Sequence, residues 1–336
     1  MIRRLLSLVG LLTLAACSRP GPVPAPPPTR PIVFSIVSTE DRRAQMEAWG
    51  PFLRDMERST GLPVHPAFAR SDAAAIDSMR FRQSDLGWFS NNAGLKAVQQ
   101  ANGEVFAQVS RASAPGGDQS VIVVRRGGGI TLAQLLACNR RLSFGTGGPK
   151  STAGTLAPLT YLFAPRGLDP ARCFRTVRTA SAEGNLYAVG AGVLDAAADS
   201  AETMALMAAH DTPFARRTLS NLQVIWRSPT LPEDPVIWRK DLDPSVKAKL
   251  RSFFFSYGLG DTPEAARQKR VLKRLGLGPF EPADDSHLIP VREMQATETL
   301  VAARLAGDAA GVQRAQAELA EIAKEKAAQT TPAQPA

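Results

Sequence analysis

The chain has 336 residues, of which 44% are hydrophobic, 21% charged and 6% aromatic, and this composition excludes wholesale disorder. The 40 Lys and Arg residues exceed the 31 Asp and Glu residues, but no basic run is interleaved with aromatics, so a nucleic-acid partner is not expected. The three histidines, His65, His210 and His287, lack the spacing of metal ligands, and neither a metal centre nor a cofactor is predicted.

The first residues have the pattern of an export signal. Arg3 and Arg4 precede an apolar run that ends at Ala16 and is too short to cross a bilayer as a helix. The small residues before Cys17 resemble a bacterial lipobox, in which the cysteine is acylated and becomes the mature N-terminus. Residues 1–16 are therefore predicted to be a lipoprotein signal peptide. The alternative is a plain exported protein that is cleaved elsewhere.

Both ends of the mature chain are expected to lack a fold of their own. Residues 17–31 are rich in proline and are predicted to form an extended tether of roughly 3 Å per residue. Residues 327–336 form a polar segment that contains proline and is predicted to be disordered.

Short β-rich runs alternate with helical runs from residue 32 onward. A helix over residues 42–58 is predicted because Met46, Trp49, Leu53 and Met56 recur at helical spacing. The other elements predicted here are strands at 32–37, 64–68, 85–89 and 105–109, a helix at 73–81 and a helix that ends at 101. This alternation indicates βαβ units with a largely parallel sheet.

The pattern restarts at residue 120 and forms a second α/β unit. Its predicted elements are strands at 120–125 and 142–145, helices at 131–137 and 151–163, and a last strand near 222–226. A strand at 235–238, helices at 244–257 and 263–275 and an alanine-rich helix at 293–326 then return to the first unit. We therefore expect an α/β protein with two lobes, residues 32–119 with 233–292 and residues 120–232, each a mostly parallel sheet flanked by helices. Ligands of such sheets bind beyond the carboxyl ends of the strands, which here means the cleft between the lobes.

Two cysteines remain after Cys17. Cys138 and Cys173 each precede a predicted strand, at 141–145 and 174–180, and neighbouring parallel strands would bring them together. The two alternatives are a disulfide and a pair of buried, inert thiols.

The stretch at residues 143–154 has the most informative pattern. A strand leads into a glycine-rich turn, and Ser151 and Thr152 then open a helix, where free N–H groups and the helix dipole favour an oxyanion. The spacing of a Walker loop is absent. The alternative is that Ser151 and Thr152 only cap the helix.

Several segments together resemble the substrate-binding proteins of phosphonate ABC transporters. The likeness runs in order from about residue 32 to 291 and is carried by residues 34–40, 49–57, 85–89, 101–108, 148–154 and 224–239. It implies a type-II periplasmic-binding-protein clamshell, acting as a monomer, that closes over a phosphonate-, phosphite- or phosphate-like ligand and delivers it to the membrane permease of an ABC importer.

The resemblance also assigns ligand-binding positions. Ser151 and Thr152 match two residues of the family's Ser-Thr-Ser triplet, whose third position is Ala153 here. Glu202 and Asp234 match the two carboxylates that hold a ligand amine in the aminoalkylphosphonate binders. The family has further donors at four positions that differ here. Three are tyrosines, which are replaced by Asp72, by Phe89 and by a residue near Gly117 or Asp118. The fourth is a histidine, which is replaced by Ser181 or Ala182.

These departures make the predicted cleft more acidic. A carboxylate 4 Å from a ligand oxygen opposes binding by about 4 kcal/mol at an effective dielectric constant near 20, so a plain phosphate dianion is disfavoured. Asp72, Asp118, Glu202 and Asp234 would instead pair with ammonium groups of a ligand. The alternative is that Asp72 and Asp118 point to solvent.

Ser38 and Thr39, at the end of the first strand, are either a helix cap or further oxyanion donors.

The sequence therefore predicts a lipid-anchored solute-binding protein of the bacterial cell envelope that faces the periplasm and binds a phosphonate-like oxyanion, with or without an amine. An orphan or sensory lipoprotein with the same fold is the alternative. An enzyme is not expected, because no nucleophile, metal set or histidine base accompanies Glu202 and Asp234.

Overall fold

The computed structural model describes residues 30–37, 41–111 and 117–330. Cys17, Ser38 and Thr39, the predicted signal peptide and residues 331–336 lie outside the described residues.

The described strands are, in chain order, β1 (Ile32–Val37), β2 (Val64–Ala69), β3 (Leu86–Trp88), β4 (Gly103–Val109), β5 (Gln119–Arg125), β6 (Ser143–Thr146), β7 (Thr176–Thr179), β8 (Ala196–Ser200), β9 (Leu222–Thr230), β10 (Pro235–Arg239) and β11 (Phe280–Pro282). The α-helices are α1 (Arg42–Thr60), α2 (Asp72–Arg80), α3 (Asn91–Gln100), α4 (Leu132–Leu136), α5 (Pro170–Cys173), α6 (Ala182–Gly190), α7 (Ala201–His210), α8 (Pro213–Ser220), α9 (Pro244–Ser256), α10 (Pro263–Arg274), α11 (Ile289–Ala306) and α12 (Ala309–Thr330). The helix predicted at 151–163 is largely π-helical, with segments Thr152–Leu156 and Leu159–Phe163, and 3-10 turns occur at Ala164–Arg166 and Asp285–Leu288.

These strands form two sheets, ordered β11-β4-β10-β3-β1-β2 and β7-β6-β8-β5-β9. Strands β1 to β4 of the first sheet run in one direction, as do β6 to β9 of the second, which agrees with the predicted mostly parallel sheets. Strands β5, β10 and β11 depart from that prediction, because they run antiparallel to their neighbours.

The direction of β5 and β10 follows from the two crossings between the sheets, one between β4 and β5 and the other between β9 and β10. The chain leaves each sheet at the carboxyl end of a strand and enters the other sheet from the same side. A strand that begins at the edge where the other strands end must run antiparallel to those strands. Both crossings therefore lie at the edge where the carboxyl ends of the two sheets meet.

Helix α1 illustrates how the first lobe forms its core. Asp41 caps the helix by accepting hydrogen bonds from the N–H groups of Arg43 and Ala44, and Gly61, at φ 65°, ends it. Phe52, on its buried face, meets the rings of Phe34, Phe253, Phe254, Tyr257 and Phe280. The predicted helical spacing thus places α1 on an aromatic core.

The core of the second lobe is held by packing and by a covalent bond. Phe144 on β6 stacks on Phe174, with ring centroids 4.4 Å apart, and Phe163 meets both rings edge-on. The structure joins Cys138 and Cys173 in a disulfide, and β6 and β7, which follow them, are parallel neighbours. The geometry that the sequence suggested for the two cysteines is therefore present.

The C-terminal region differs from the prediction in two ways. The single helix expected at 293–326 is divided between α11 and α12, because Gly307 adopts a left-handed conformation with φ 69° and the chain turns back. Helix α12 continues to Thr330, four residues into the segment that was expected to be disordered. Its buried residue Ile322 packs against Ile289 and Ala296 of α11, which stabilises the added helix.

Candidate functional site

The glycine-rich turn after β6 is folded tightly onto the helix that follows it. The N–H of Gly147 donates to the carbonyl of Gly154 at 3.0 Å, and the Thr155 hydroxyl donates to the carbonyls of Gly147 and Gly148 at 3.1 and 3.0 Å. A Cβ atom added to Gly154 would lie 2.9 Å from Gly147 Cα, so a side chain at this position would force the turn open.

Ser151 is the N-cap of this helix. Its Oγ accepts a hydrogen bond from the N–H of Gly154 at 3.1 Å. Within the described residues, the N–H groups of Thr152 and Ala153 have no acceptor. Capping and ligand binding are compatible, because the Ser151 hydroxyl keeps its own proton to donate and the two N–H groups remain available.

Three helices begin around one cavity of about 190 Å³, which we call the oxyanion cavity. It is lined by the glycine-rich turn, Ser151, Ser181, Asn185, Asp199 and Ser200, among other residues. Ser151, Ser181 and Ser200 are the N-caps of the π-helical segment, α6 and α7, respectively. Three positive helix ends around one small cavity make it suited to an anion.

A second group of charged residues lies where the two crossings meet, and we call Arg111, Glu202, Glu233 and Asp234 the Arg111 cluster. The Arg111 guanidinium lies 2.9 Å from an Asp234 oxygen, and its Nε lies 3.6 Å from Glu202 and 3.5 Å from Glu233. The cluster adjoins the oxyanion cavity, because Glu202 is two residues beyond Ser200 on α7. Sequence reasoning identified Glu202 and Asp234 but missed Arg111 and Glu233.

The cluster contains more carboxylates than its single guanidinium neutralises. Burial raises the pKa of Glu233 to about 7 and that of Asp234 to about 6, and the charge of Glu202 adds to both shifts while Arg111 opposes them. The side chains of Arg111, Glu202, Glu233 and Asp234 are 24%, 18%, 12% and 23% exposed, so solvent screens them only partly.

Asp118 and Asp72 occupy different places. Asp118 is partly buried and accepts hydrogen bonds from the N–H groups of Gln119 at 2.8 Å and Glu202 at 3.0 Å, so it faces the start of α7 and not solvent. Burial raises its pKa. Asp72 accepts a hydrogen bond from the Ser90 hydroxyl at 2.8 Å and lies outside the oxyanion cavity.

Phe89 does not lie in the cleft. It is 1% exposed and belongs to a hydrophobic cluster with Ala93, Val105 and Met294, so the position expected to contact the ligand is part of the core. Its ring covers Gly87, where an added Cβ would lie 2.6 Å from a ring atom.

Thr152 opens the helix at the oxyanion cavity, but its side chain is not among the residues that line this cavity.

A larger cavity, of about 380 Å³, lies between α2, α3 and α11. Its lining mixes both charge signs, including Asp72, Asp77, Lys96, Lys150 and Glu298, and Lys150 and Glu298 form an ion pair at 2.6 Å. We assign the anion site to the smaller cavity because the three helix N-termini converge there.

Among the described residues there is neither a cluster suited to a metal ion nor a helix long and apolar enough to span a membrane.

Comparison with known proteins is consistent with this architecture. Residues 34–288 match the family model of the phosphonate ABC-transporter periplasmic substrate-binding protein. The phosphonates-binding periplasmic protein of Escherichia coli K12 is 39% identical over 262 residues, which cover 78% of this chain and 75% of that protein.

Solved structures share the fold. A binding-protein component of an ABC phosphonate transporter from Pseudomonas aeruginosa is 34% identical with a TM-score of 0.67, covering 90% of this chain and 100% of that one. A Prochlorococcus marinus protein in complex with methylphosphonate has a TM-score of 0.58 at 19% identity, covering 82% of this chain and 98% of that one. The family match, the relatives and the two-lobed fold together show that this chain belongs to the periplasmic substrate-binding proteins of phosphonate ABC transporters.

Proposed function

We propose that this protein captures a phosphonate-type oxyanion in the oxyanion cavity and delivers it to the permease of an ABC importer. The observation that carries the proposal is the convergence of three serine-capped helix N-termini on one cavity. Family membership supports a phosphonate as the oxyanion, since two relatives above 30% identity are named for phosphonate binding or transport.

The proposal includes the position of the protein in the cell. A lipid on Cys17 would anchor a monomer to the membrane, and the proline-rich tether would hold the two lobes in the periplasm. Deleting the gene is expected to abolish phosphonate uptake. Uptake that persists in the deletion strain would favour the sensory alternative.

The Arg111 cluster bears on the part of the ligand beyond the oxyanion. With one guanidinium facing Glu202, Glu233 and Asp234, the cluster retains negative charge even when the Arg111 pairs are made. A ligand ammonium group would pair with this charge, whereas a second anionic group would be repelled. We therefore propose that the site accepts simple phosphonates and binds amine-bearing ones more tightly.

A ligand panel tests the proposed function. Methylphosphonate and aminoethylphosphonate are both expected to raise the melting temperature, because a ligand at 100 times its Kd adds about 2.7 kcal/mol to stability. At equal concentration the rise should be larger for aminoethylphosphonate, because its ammonium group pairs with the Arg111 cluster. Phosphate and alkyl sulfonates serve as comparisons. A protein whose melting temperature responds to neither phosphonate would contradict the proposal.

Substitution at the helix start tests the assignment of the site. Ser151→Ala is expected to weaken phosphonate binding by about 1–3 kcal/mol, or about 5- to 150-fold in Kd, because a hydrogen bond to a charged group is lost. Titration calorimetry measures the change. Thr262→Ala, which removes the N-cap of α10 in the other lobe, is the matched control and should leave Kd unchanged. Equal Kd values for Ser151→Ala and Thr262→Ala would remove the helix start from the site.

A further inference from the structure

Two hydrogen-bond acceptors in the wall of the oxyanion cavity lack a donor. Asp199 and Asn185 both line the cavity and are 1% and 0% exposed. Within the part of the chain that the structure describes, Asp199 Oδ2 and Asn185 Oδ1 have no hydrogen-bond partner. Buried polar atoms are almost always paired, so two unpaired acceptors at one cavity need an explanation.

The partners that these side chains do have fix their orientation. Asp199 Oδ1 accepts from the N–H of Ser200 at 2.7 Å, and the Asn185 amide nitrogen donates to the Thr146 carbonyl at 3.0 Å. The Asn185 amide is therefore oriented with its oxygen free. The Thr203 hydroxyl, which is also near Asp199, has its hydrogen bond with Ser200 Oγ at 3.3 Å. With the Thr203 hydroxyl directed at Ser200, the two acceptors have no donor within this network, and a ligand in the cavity can supply one.

A fully deprotonated oxyanion cannot supply that donor. All its oxygens are acceptors, and it would face the Asp199 carboxylate with the same charge sign. A singly protonated phosphonate presents two oxygens to the N–H groups and serine hydroxyls and one P–OH group to an acceptor.

We propose that the oxyanion cavity selects an oxyanion that carries a proton, and that Asp199 recognises it by accepting the hydrogen bond of its P–OH group, assisted by Asn185. This inference rests on the proposed function and narrows it. Phosphonates and related phosphorus oxyanions titrate near neutral pH and can bring the proton. Alkyl sulfonates, which are strong acids, bring none.

The charges around Asp199 support this role. Burial raises the pKa of Asp199 to about 7, and the negative charges of Asp118 on the first crossing and Glu183 on α6 add to the shift, while the N–H of Ser200 and the Thr203 hydroxyl oppose it. Asp199 and the ligand therefore hold one proton between them near neutral pH. Binding should weaken as the pH rises and that proton is lost from both.

Calorimetry with two ligands and one isosteric variant tests the proposal. For the wild-type protein, the Kd for methylphosphonate should rise by at least about tenfold between about pH 6 and about pH 9. Methanesulfonate should bind more weakly than methylphosphonate, and the difference should widen as the pH rises above about 7 and Asp199 loses its proton. In Asp199→Asn the side chain can donate a hydrogen bond, so the pH dependence should fall to below about threefold and sulfonate binding should strengthen by at least about tenfold.

Glu183→Gln is the matched control, since it removes a nearby carboxylate that lacks the unpaired buried oxygen. It should retain a pH dependence of at least about tenfold, displaced slightly to lower pH because one of the negative charges that raise the pKa of Asp199 is gone. A wild-type protein that binds methanesulfonate as tightly as methylphosphonate, or an Asp199→Asn variant that keeps the full pH dependence, would overturn the inference and leave the proposed function intact. Absence of methylphosphonate binding at both pH values would overturn the proposed function itself.

Discussion

Replacing Arg111 by methionine is expected to destabilise the folded protein by about 3–5 kcal/mol at neutral pH, the cost of leaving buried carboxylates without their partner. The Arg111 guanidinium is the cation that faces Glu202, Glu233 and Asp234 together, and all four side chains are less than one quarter exposed. Methionine keeps much of the side-chain volume, so the loss reports on charge more than on packing.

The loss should depend on pH in a defined direction. The pKa of Glu233 rises from 4.5 to about 7 on folding and that of Asp234 from 3.8 to about 6, so the folded state binds more protons than the unfolded state in this range. Their contribution to stability is therefore greatest at low pH and is lost as the pH rises through these values. Without Arg111 both pKa values should rise further. The destabilisation by Arg111→Met should then be small near pH 5 and largest above about pH 7.

Urea unfolding at the two pH values measures this effect, with two controls. Arg111→Lys keeps the charge and should lose less stability than Arg111→Met. Arg43→Met breaks an exposed ion pair with Glu47 and should change stability by less than about 1 kcal/mol at either pH. An Arg111→Met variant that is destabilised equally at both pH values would contradict the electrostatic account of the cluster.

Loss of the disulfide is expected to destabilise the protein by about 3–4 kcal/mol. The bond joins Cys138 to Cys173, 35 residues apart, and a loop of this length restricts the unfolded chain by that order of free energy. The double variant Cys138→Ala/Cys173→Ala, or the reduced wild-type protein, should show the loss in urea unfolding. The oxidised wild-type protein is the reference. A double variant within about 1 kcal/mol of wild type would show that the crosslink adds little.

The parts of this fold that could be predicted from sequence depend on local or periodic signals. The spacing of Met46, Trp49, Leu53 and Met56 is sufficient to predict α1, and the last three lie on its buried face, whereas Met46 is 40% exposed. Cys138 and Cys173 lie just before two predicted strands, and these positions indicated that the two cysteines could form a disulfide, because parallel neighbours bring such positions together. The glycine-rich turn and Ser151 likewise form one contiguous motif.

The parts that could not be predicted depend on contacts between distant residues. Arg111 and Asp234 are 123 positions apart and meet only because both crossings lie at the same edge of the two sheets. Phe89 was expected at the ligand because the resemblance aligns it with a tyrosine of the family, but packing against α3 and α11 buries it. The unpaired oxygens of Asn185 and Asp199 are consequences of tertiary burial, which one sequence does not reveal.

A crystal structure of the protein grown with methylphosphonate would show whether the ligand binds where the helix after the glycine-rich turn begins. We expect phosphonate oxygens within about 3 Å of Ser151 Oγ and of the N–H groups of Thr152 and Ala153, inside the cavity where α6 and α7 also begin. Phosphonate density elsewhere, such as between α2, α3 and α11, with protein side chains occupying the space before Ser151, would contradict it.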